Sequence, residues 1–320
     1  MINFNHINAE SLEEAAGLLQ SSEGKAKVIA GGTDLLAVLK DRILPEYPET
    51  IINLKTIPGL KNIEEADGRL KMGALTTLEA IVQSPLILET CRMLADAAKS
   101  VASLQIRNLG TLGGNLCQDL RCMYYRYPYQ IGGRLMCKRK GEGACLAVKG
   151  DNRYHAIMGA EGCFAVCPSD MAIALSALDA TITLDGAGGS RTLPVASFYT
   201  PSGIVLEPGE ILTTISVPLP ASAVRAAFSK FRLRDAIDFA IVSVASALTV
   251  SHGTCEDPRI ILGAVAPFPF RAEEAESFIK GKPLTEKTAA QAALLALEKA
   301  KPLSMNAYKI QVAKTLILLG

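Results

Sequence analysis

Six of the eight cysteines fall between Cys117 and Cys167, spaced Cys117-x4-Cys122-x14-Cys137-x7-Cys145-x17-Cys163-x3-Cys167. Thiolates are metal ligands and redox groups, and this density in about a sixth of a chain with no export signal points to such chemistry before disulfides. The spacing lacks both the C-x2-C knuckles of zinc ribbons and the C-x2-C-x2-C run of bacterial ferredoxins. Separate loops can still bring four sulfurs together. Zinc, an iron–sulfur cluster and a set of buried free thiols all remain open on the residues alone.

A second chemistry is written in glycine. Ala30-Gly-Gly-Thr-Asp34 and Gly110-Thr-Leu-Gly-Gly-Asn115 each follow an apolar run. Without a Cβ, such loops let backbone N–H groups approach a phosphate and form an anion nest. Neither matches G-x-G-x-x-G or G-x-x-x-x-G-K-[ST], which disfavours Rossmann and Walker sites. Two such loops about 80 residues apart suit a dinucleotide such as FAD, with two phosphates and a long body. Asp170 is a candidate acceptor for a ribose or flavin-chain hydroxyl and, equally, a helix cap.

The elements that position these residues follow from pattern. Ser11-Leu-Glu-Glu14 and Thr76-Thr-Leu-Glu79 are capping boxes that open helices. Short strands are expected at 27–30 and 50–54, with a hairpin around Asp67-Gly68 and a helix over 87–98. Residues 121–155 have no sustained period. Fixing them costs about 1–2 kcal/mol of backbone entropy per residue, which a metal cluster would offset. A helix over 169–178 and strands at 180–184, 191–195 and 211–218 follow, then a linker at Pro218-Leu-Pro-Ala. Beyond it, three strand-like runs precede three helical ones, an α+β arrangement over 222–320.

At 320 residues, with 49% hydrophobic residues, 20% charged residues and no Trp, the chain is a folded two-domain protein and not a disordered one. Its mean hydropathy is +0.24. The formal charge of +1 argues against a nucleic-acid binder. No apolar run reaches the ~20 residues of a membrane span. Met-Ile-Asn-Phe-Asn-His is not a signal peptide. A cytoplasmic protein is expected, with co-export on a partner's signal as the alternative.

The segments AGGTDLL (30–36), IRNLGTLGGNL (106–116), PSDMAIALSALDATI (168–182), LEPGEILTTISVP (206–218) and AFSKFRLRDAIDFAIVSVA (227–245) together closely resemble the FAD-binding subunits of molybdenum hydroxylases. That family includes the CO dehydrogenase medium subunit and the xanthine dehydrogenase flavin domain. The resemblance spans essentially the whole chain. It implies an α+β fold: a vanillyl-alcohol-oxidase-type FAD-binding domain of two subdomains over 1–220, then a C-terminal domain over 222–320 with a three-stranded sheet and helices.

Typical members run almost directly from the second glycine motif into the Ser-Asp motif, whereas about fifty residues separate Asn115 from Ser169 here. The insertion, 117–167, resembles that of 4-hydroxybenzoyl-CoA reductase and bacterial aldehyde oxidoreductases, which carries a [4Fe–4S] cluster. By that resemblance Cys122, Cys137, Cys145 and Cys163 are the expected ligands, with Cys167 and Cys117 in reserve. Tyr154 stands where the benzoyl-CoA type has a cysteine, a departure from that substrate class. FAD contacts are carried over to Ala30, Gly31, Gly32, Thr33, Asp34 and Leu35, to Thr111, Gly113, Gly114 and Asn115, and to Asp170, Leu212 and Lys230, the last beside the flavin ring.

The implied function is electron transfer. FAD and the cluster would pass electrons between a partner small subunit's [2Fe–2S] centres and an external carrier such as ferredoxin. An aldehyde, aromatic acyl-CoA or N-heterocycle would react at the molybdenum cofactor of a molybdopterin large subunit. No catalytic residue is expected in this chain. A stand-alone FAD oxidoreductase and a zinc-stabilised interaction protein are the alternatives.

Overall fold

The computed structural model describes residues 1–219 and 224–319. Three parallel-paired strands, β1 (Asn5–Asn8), β2 (Ala26–Ile29) and β3 (Thr50–Asn53), form a small sheet in the order β1-β3-β2. Its crossovers are α1 (Leu12–Ser21) and α2 (Leu35–Asp41). Ser11 caps α1 by accepting from the Glu14 N–H at 3.1 Å, while Glu14 reaches back to the Glu10 N–H. The hairpin β4 (Ile63–Ala66) and β5 (Arg69–Gly73) turns at Asp67-Gly68, both at positive φ.

The expected cap at Thr76 moves by one residue. Thr77 caps α3 (Leu78–Gln83), since its hydroxyl, not that of Thr76, reaches the Ala80 N–H. The expected single helix over 87–98 is two, α4 (Pro85–Thr90) and α5 (Arg92–Lys99), broken at Cys91, whose backbone leaves helical geometry. Next come α6 (Leu104–Leu109) and α7 (Leu112–Leu116). The insertion folds with little regular structure beyond single 3-10 turns at Tyr129–Ile131, Lys138–Lys140 and Leu146–Val148. Its two ends are zipped together by reciprocal backbone hydrogen bonds between Arg121 and Val166 at 2.9 and 3.1 Å.

Helix α8 (Asp170–Ala177) is buried on every side, which explains why its sequence carries no polar stripe. Ser169, not Asp170, is its cap. Strands β6 (Thr181–Gly186), β7 (Gly189–Pro194) and β10 (Ile211–Pro218) join the hairpin in a five-stranded sheet ordered β4-β5-β10-β6-β7, with β8 (Tyr199–Thr200) and β9 (Gly203–Ile204) as a separate ribbon. The main core lies between this sheet and α3, α5 and α8. The expected linker at 218–221 runs into 220–223, outside the described residues.

The second domain is an antiparallel sheet of β11 (Val224–Phe231), β12 (Val242–Ser251), β13 (Thr254–Gly263) and the two-residue β14 (Phe270–Arg271). Its fourth strand corrects the expected three; two residues are too few to leave an alternating pattern. Helices α9 (Glu273–Ile279), α10 (Glu286–Leu295) and α11 (Tyr308–Leu319) cover it around a second core. Among the described residues, no helix is long and apolar enough to cross a membrane.

Two buried polar residues beside α11 fasten the insertion to this domain. Asn306 donates to the carbonyls of His155 (3.1 Å) and Ala156 (3.3 Å) and accepts from the Leu303 N–H (2.7 Å). Lys309, fully buried, donates to the carbonyls of His155 and Ala264 at 3.0 and 2.5 Å. Asn306→Ala strips the Ala156 carbonyl and the Leu303 N–H of this partner in the interior, while the His155 carbonyl keeps Lys309. It is expected to cost about 1–3 kcal/mol in denaturant unfolding and to open residues 150–156 to limited proteolysis before the rest of the chain.

Candidate functional site: a glycine-lined cavity tied to a cysteine-rich loop

A cavity of about 400 Å³ opens where the small parallel sheet meets the larger one. The whole run Ala30 to Leu35 lines it, as do Thr111, Gly113, Gly114 and Leu212. The sequence reading thus brings ten of its thirteen flavin candidates to one wall. Asn115 stands just outside, accepting from the Ser169 hydroxyl at 2.7 Å.

The two glycine loops are in contact. A Cβ on Gly31 would sit on the Leu109 carbonyl, and one on Gly113 would lie 2.8 Å from the Ala74 Cβ, so both positions require glycine for backbone approach. Their amides are used differently. Among the described residues, the N–H groups of Gly31, Gly32 and Thr33 donate to no protein acceptor, leaving a row of donors at the cavity wall. The second loop pairs most of its amides: Gly113 donates to Ala74 (2.8 Å), Gly110 to Ile106 (2.6 Å) and Gly114 to the Thr111 hydroxyl (3.1 Å). Among the described residues the Thr111 N–H, also at the cavity, donates to no protein acceptor, so the consecutive run of unpaired amides belongs to the first loop. These features fit a dinucleotide with a pyrophosphate at Gly31–Thr33.

Asp170 and Lys230 are brought together, away from this cavity. They form an ion pair at 2.6 Å, each side chain about 5% exposed, and Lys230 also donates to the Ser100 carbonyl at 3.0 Å. Burial pushes the Asp170 carboxyl above its usual range despite the adjacent ammonium. The structure thus sets these two expected flavin contacts against each other. In a dry core each charge needs the other, and the pair locks α8 to β11.

Sequence reasoning missed the contact that joins cavity to insertion. Asp34 occupies the capping position of α2 but caps nothing. Its carboxylate instead accepts from Arg126 through both terminal nitrogens (2.8 and 3.1 Å), from Arg121 (2.8 Å) and from the Asp119 N–H (3.2 Å). Arg126 also holds the carbonyls of Asp119 and Leu120 at 2.9 and 3.0 Å. Burial pushes the Asp34 carboxyl up, but the Arg126 hydrogen bond and the two guanidinium charges outweigh it and hold the group below its usual range. The one available signal was the arginine pair at the start of the insertion. Tyr199, whose hydroxyl donates to the Leu116 carbonyl at 2.9 Å, also lines the cavity and was not anticipated.

The cysteines divide into two groups. Cys122 lies 3.2 Å from the His155 ring and borders the small apolar cluster of Cys137, Tyr125, Val38 and Ile43. Burial pushes its thiol up to about 11, and Cys163 and Cys145 are near enough to raise it further. Cys117 and Cys167 lie beside Tyr199, where burial pushes both to about 12, and with Cys122 and Cys163 they pack on the main core. All eight thiols are free. Among the described residues, no three His, Cys, Asp or Glu side chains converge as ligands of a single metal ion.

Fold and cavity define a flavin-binding oxidoreductase subunit, and the comparisons with known proteins agree. The FAD binding domain in molybdopterin dehydrogenase matches residues 2–220, and the CO dehydrogenase flavoprotein C-terminal domain matches 226–318. The chain belongs to the molybdenum hydroxylase family as one of its FAD-binding medium subunits. It is 34% identical to the aldehyde oxidoreductase FAD-binding subunit PaoB of Escherichia coli K12 over 97% of this chain and 95% of that one. It is 29% identical to the nicotinate dehydrogenase FAD-subunit of Eubacterium barkeri over 90% and 83% of the two chains. The solved structure of a carbon monoxide dehydrogenase from Hydrogenophaga pseudoflava superimposes with a TM-score of 0.80 at 28% identity, covering 100% and 97% of the two chains.

Two outcomes follow. Gly31→Ala is expected to lower bound flavin at least tenfold, read as the absorbance ratio of flavin to protein, because the methyl displaces the Leu109 carbonyl. Asp34→Asn should cost about 2 kcal/mol at neutral pH. The carboxylate's contribution is present above its unfolded-state pKa of about 4 and is lost as pH falls through the lower folded value. The stability difference between wild type and Asp34→Asn in urea unfolding should therefore shrink below pH 4 and stay constant above it.

Proposed function

We propose that this subunit carries both FAD and a [4Fe–4S] cluster and passes electrons between a partner's [2Fe–2S] centres and an external carrier. The substrate, an aldehyde, aromatic acyl-CoA or N-heterocycle, is oxidised at the molybdenum cofactor of a large subunit. The observation that carries this reading is the gathering of Cys137, Cys145 and Cys163 around Cys122, in a loop clamped to the flavin cavity by Asp34. The donor set fits in kind: Cys122, Cys137, Cys145 and Cys163 are all unbridged thiols. The similarity to an aldehyde oxidoreductase subunit supports the reading as well.

When bound, FAD supplies the exchange between two-electron and one-electron steps, and the cluster supplies a one-electron site. This chain's residues hold and shield them. Gly31, Gly32 and Thr33 would present amide donors to a pyrophosphate, and Leu212 and Tyr199 would supply apolar wall beside it. Of the eight lysines and arginines in residues 121–155, set against two carboxylates, Arg121 and Arg126 clamp Asp34 and Lys140 is buried, which leaves Arg134, Lys138, Arg139, Lys149 and Arg153 toward the surface. Met123, Tyr129, Ile131, Met136 and Val148 are exposed on the same segment. A basic surface with apolar contacts suits an acidic redox carrier.

The test is composition and colour. Anaerobically purified protein should show flavin bands near about 450 nm and a broad brown shoulder that bleaches on reduction. Cys122→Ser or Cys163→Ser should remove the iron and retain flavin. A colourless protein with stoichiometric zinc refutes the redox reading, turnover by the purified single chain favours a self-contained flavoenzyme, and full iron retention in Cys163→Ser overturns the ligand set.

A further inference from the structure

His155 is only 3% exposed and is fixed from several sides. Its N–H donates to the Asn152 carbonyl at 3.0 Å, and its own carbonyl receives Asn306 and Lys309. Its ring lies against Tyr124, centroids 5.9 Å apart. The ring is thereby aimed so that Nε2 stands 3.2 Å from the Cys122 Sγ, while Nδ1 is buried with no partner.

That asymmetry assigns the proton. A neutral imidazole carries one N–H. On Nδ1 it would be a buried donor without an acceptor, the costlier kind of orphan. On Nε2 it points at sulfur. A ligating thiolate has no proton of its own to give, so the contact is a hydrogen bond only as Nε2–H to S⁻. Hydrogen bonds to ligand sulfurs spread the negative charge that each added electron increases, and so favour the reduced state. Among the described residues, His155 is the one histidine placed against a cysteine; His252 contacts Ser251.

We propose that His155 is a positioning residue that donates Nε2–H to Cys122 Sγ and raises the reduction potential of the group Cys122 holds, with Asn306 and Lys309 of the C-terminal domain fixing the ring. The proposal rests on the cluster reading above, yet the two can fail separately. The C-terminal domain, which touches neither the glycine loops nor the other three ligands through these residues, then acts on the redox site through a single side chain.

The experiment is an EPR-monitored redox titration of the anaerobically isolated complex, comparing wild type, His155→Phe and His155→Gln. His155→Phe should shift the cluster's equilibrium about tenfold toward the oxidised state, equivalent to about 59 mV for a one-electron couple. His155→Gln, whose amide N–H can reach the same sulfur, should recover most of that shift. The flavin spectrum should stay the same in all three. A second measurement reads the contact in the wild type itself: with ¹⁵N-histidine labelling, pulsed EPR of the reduced wild-type cluster should show a coupled imidazole nitrogen, with His155→Gln as the control that lacks it. A Phe variant with full iron and an unchanged midpoint overturns the proposal, as does a labelled wild type with no histidine coupling. Wild-type protein without iron instead refutes the underlying cluster reading.

Discussion

The carboxylate of Asp34 is the joint on which the site depends. It closes the glycine run that walls the cavity, and all its hydrogen bonds come from residues 119–126 at the root of the cysteine loop. A bidentate guanidinium–carboxylate pair fixes distance and angle together. Arg126 also grips the backbone of Asp119 and Leu120, so the first turn of the insertion is rigid before Cys122 is reached. The separation between the glycine-lined cavity and the root of the cysteine loop is thus set by one acidic and two basic side chains. Asp34 forgoes capping α2 to do this, a local loss accepted for a long-range constraint.

The rest of the molecule reinforces the same geometry from other directions. The bridge between Arg121 and Val166 returns the insertion to its starting point, which lets some forty residues be added without disturbing the path from α7 to α8. The Asp170–Lys230 pair locks α8 to the second domain's sheet, and Asn306 with Lys309 pins the far end of the insertion to that domain's last helix. Burial pushes the Lys309 ammonium down to about 7. Its carbonyl partners hold it in place in either protonation state, which makes it a fastener and not a source of charge. The insertion is thus gripped at both ends, while its middle presents basic and apolar side chains to solvent.

Much of this was legible in the sequence. The glycine runs, the Asp67-Gly68 turn and the buried α8 follow from local rules of backbone conformation and apolar pattern. The cysteine-rich segment was marked by its density, and only the family resemblance singled out four of its six thiols. What escaped was set by partners distant in sequence. Asp34 reads as one more residue of the glycine loop until Arg121 and Arg126 arrive from nearly ninety residues away. That Asp170 and Lys230, sixty residues apart, pair with one another is likewise not written in any local pattern. The one-residue shift from Thr76 to Thr77, the break at Cys91 and the two-residue β14 turn on single backbone angles and hydrogen bonds below the resolution of any pattern. No sequence pattern singles out His155, because what distinguishes it is where Asn306 and Lys309 hold its carbonyl.

The account stands or falls on what lies between the four thiols. Crystals of the anaerobic complex, measured just above and just below the iron absorption edge, would locate any iron directly by anomalous difference density. The account predicts a compact four-iron peak bonded to Cys122, Cys137, Cys145 and Cys163, with dinucleotide density along Gly31–Thr33. A single peak that appears only at the zinc edge, or thiols that remain apart with no metal between them, would contradict it.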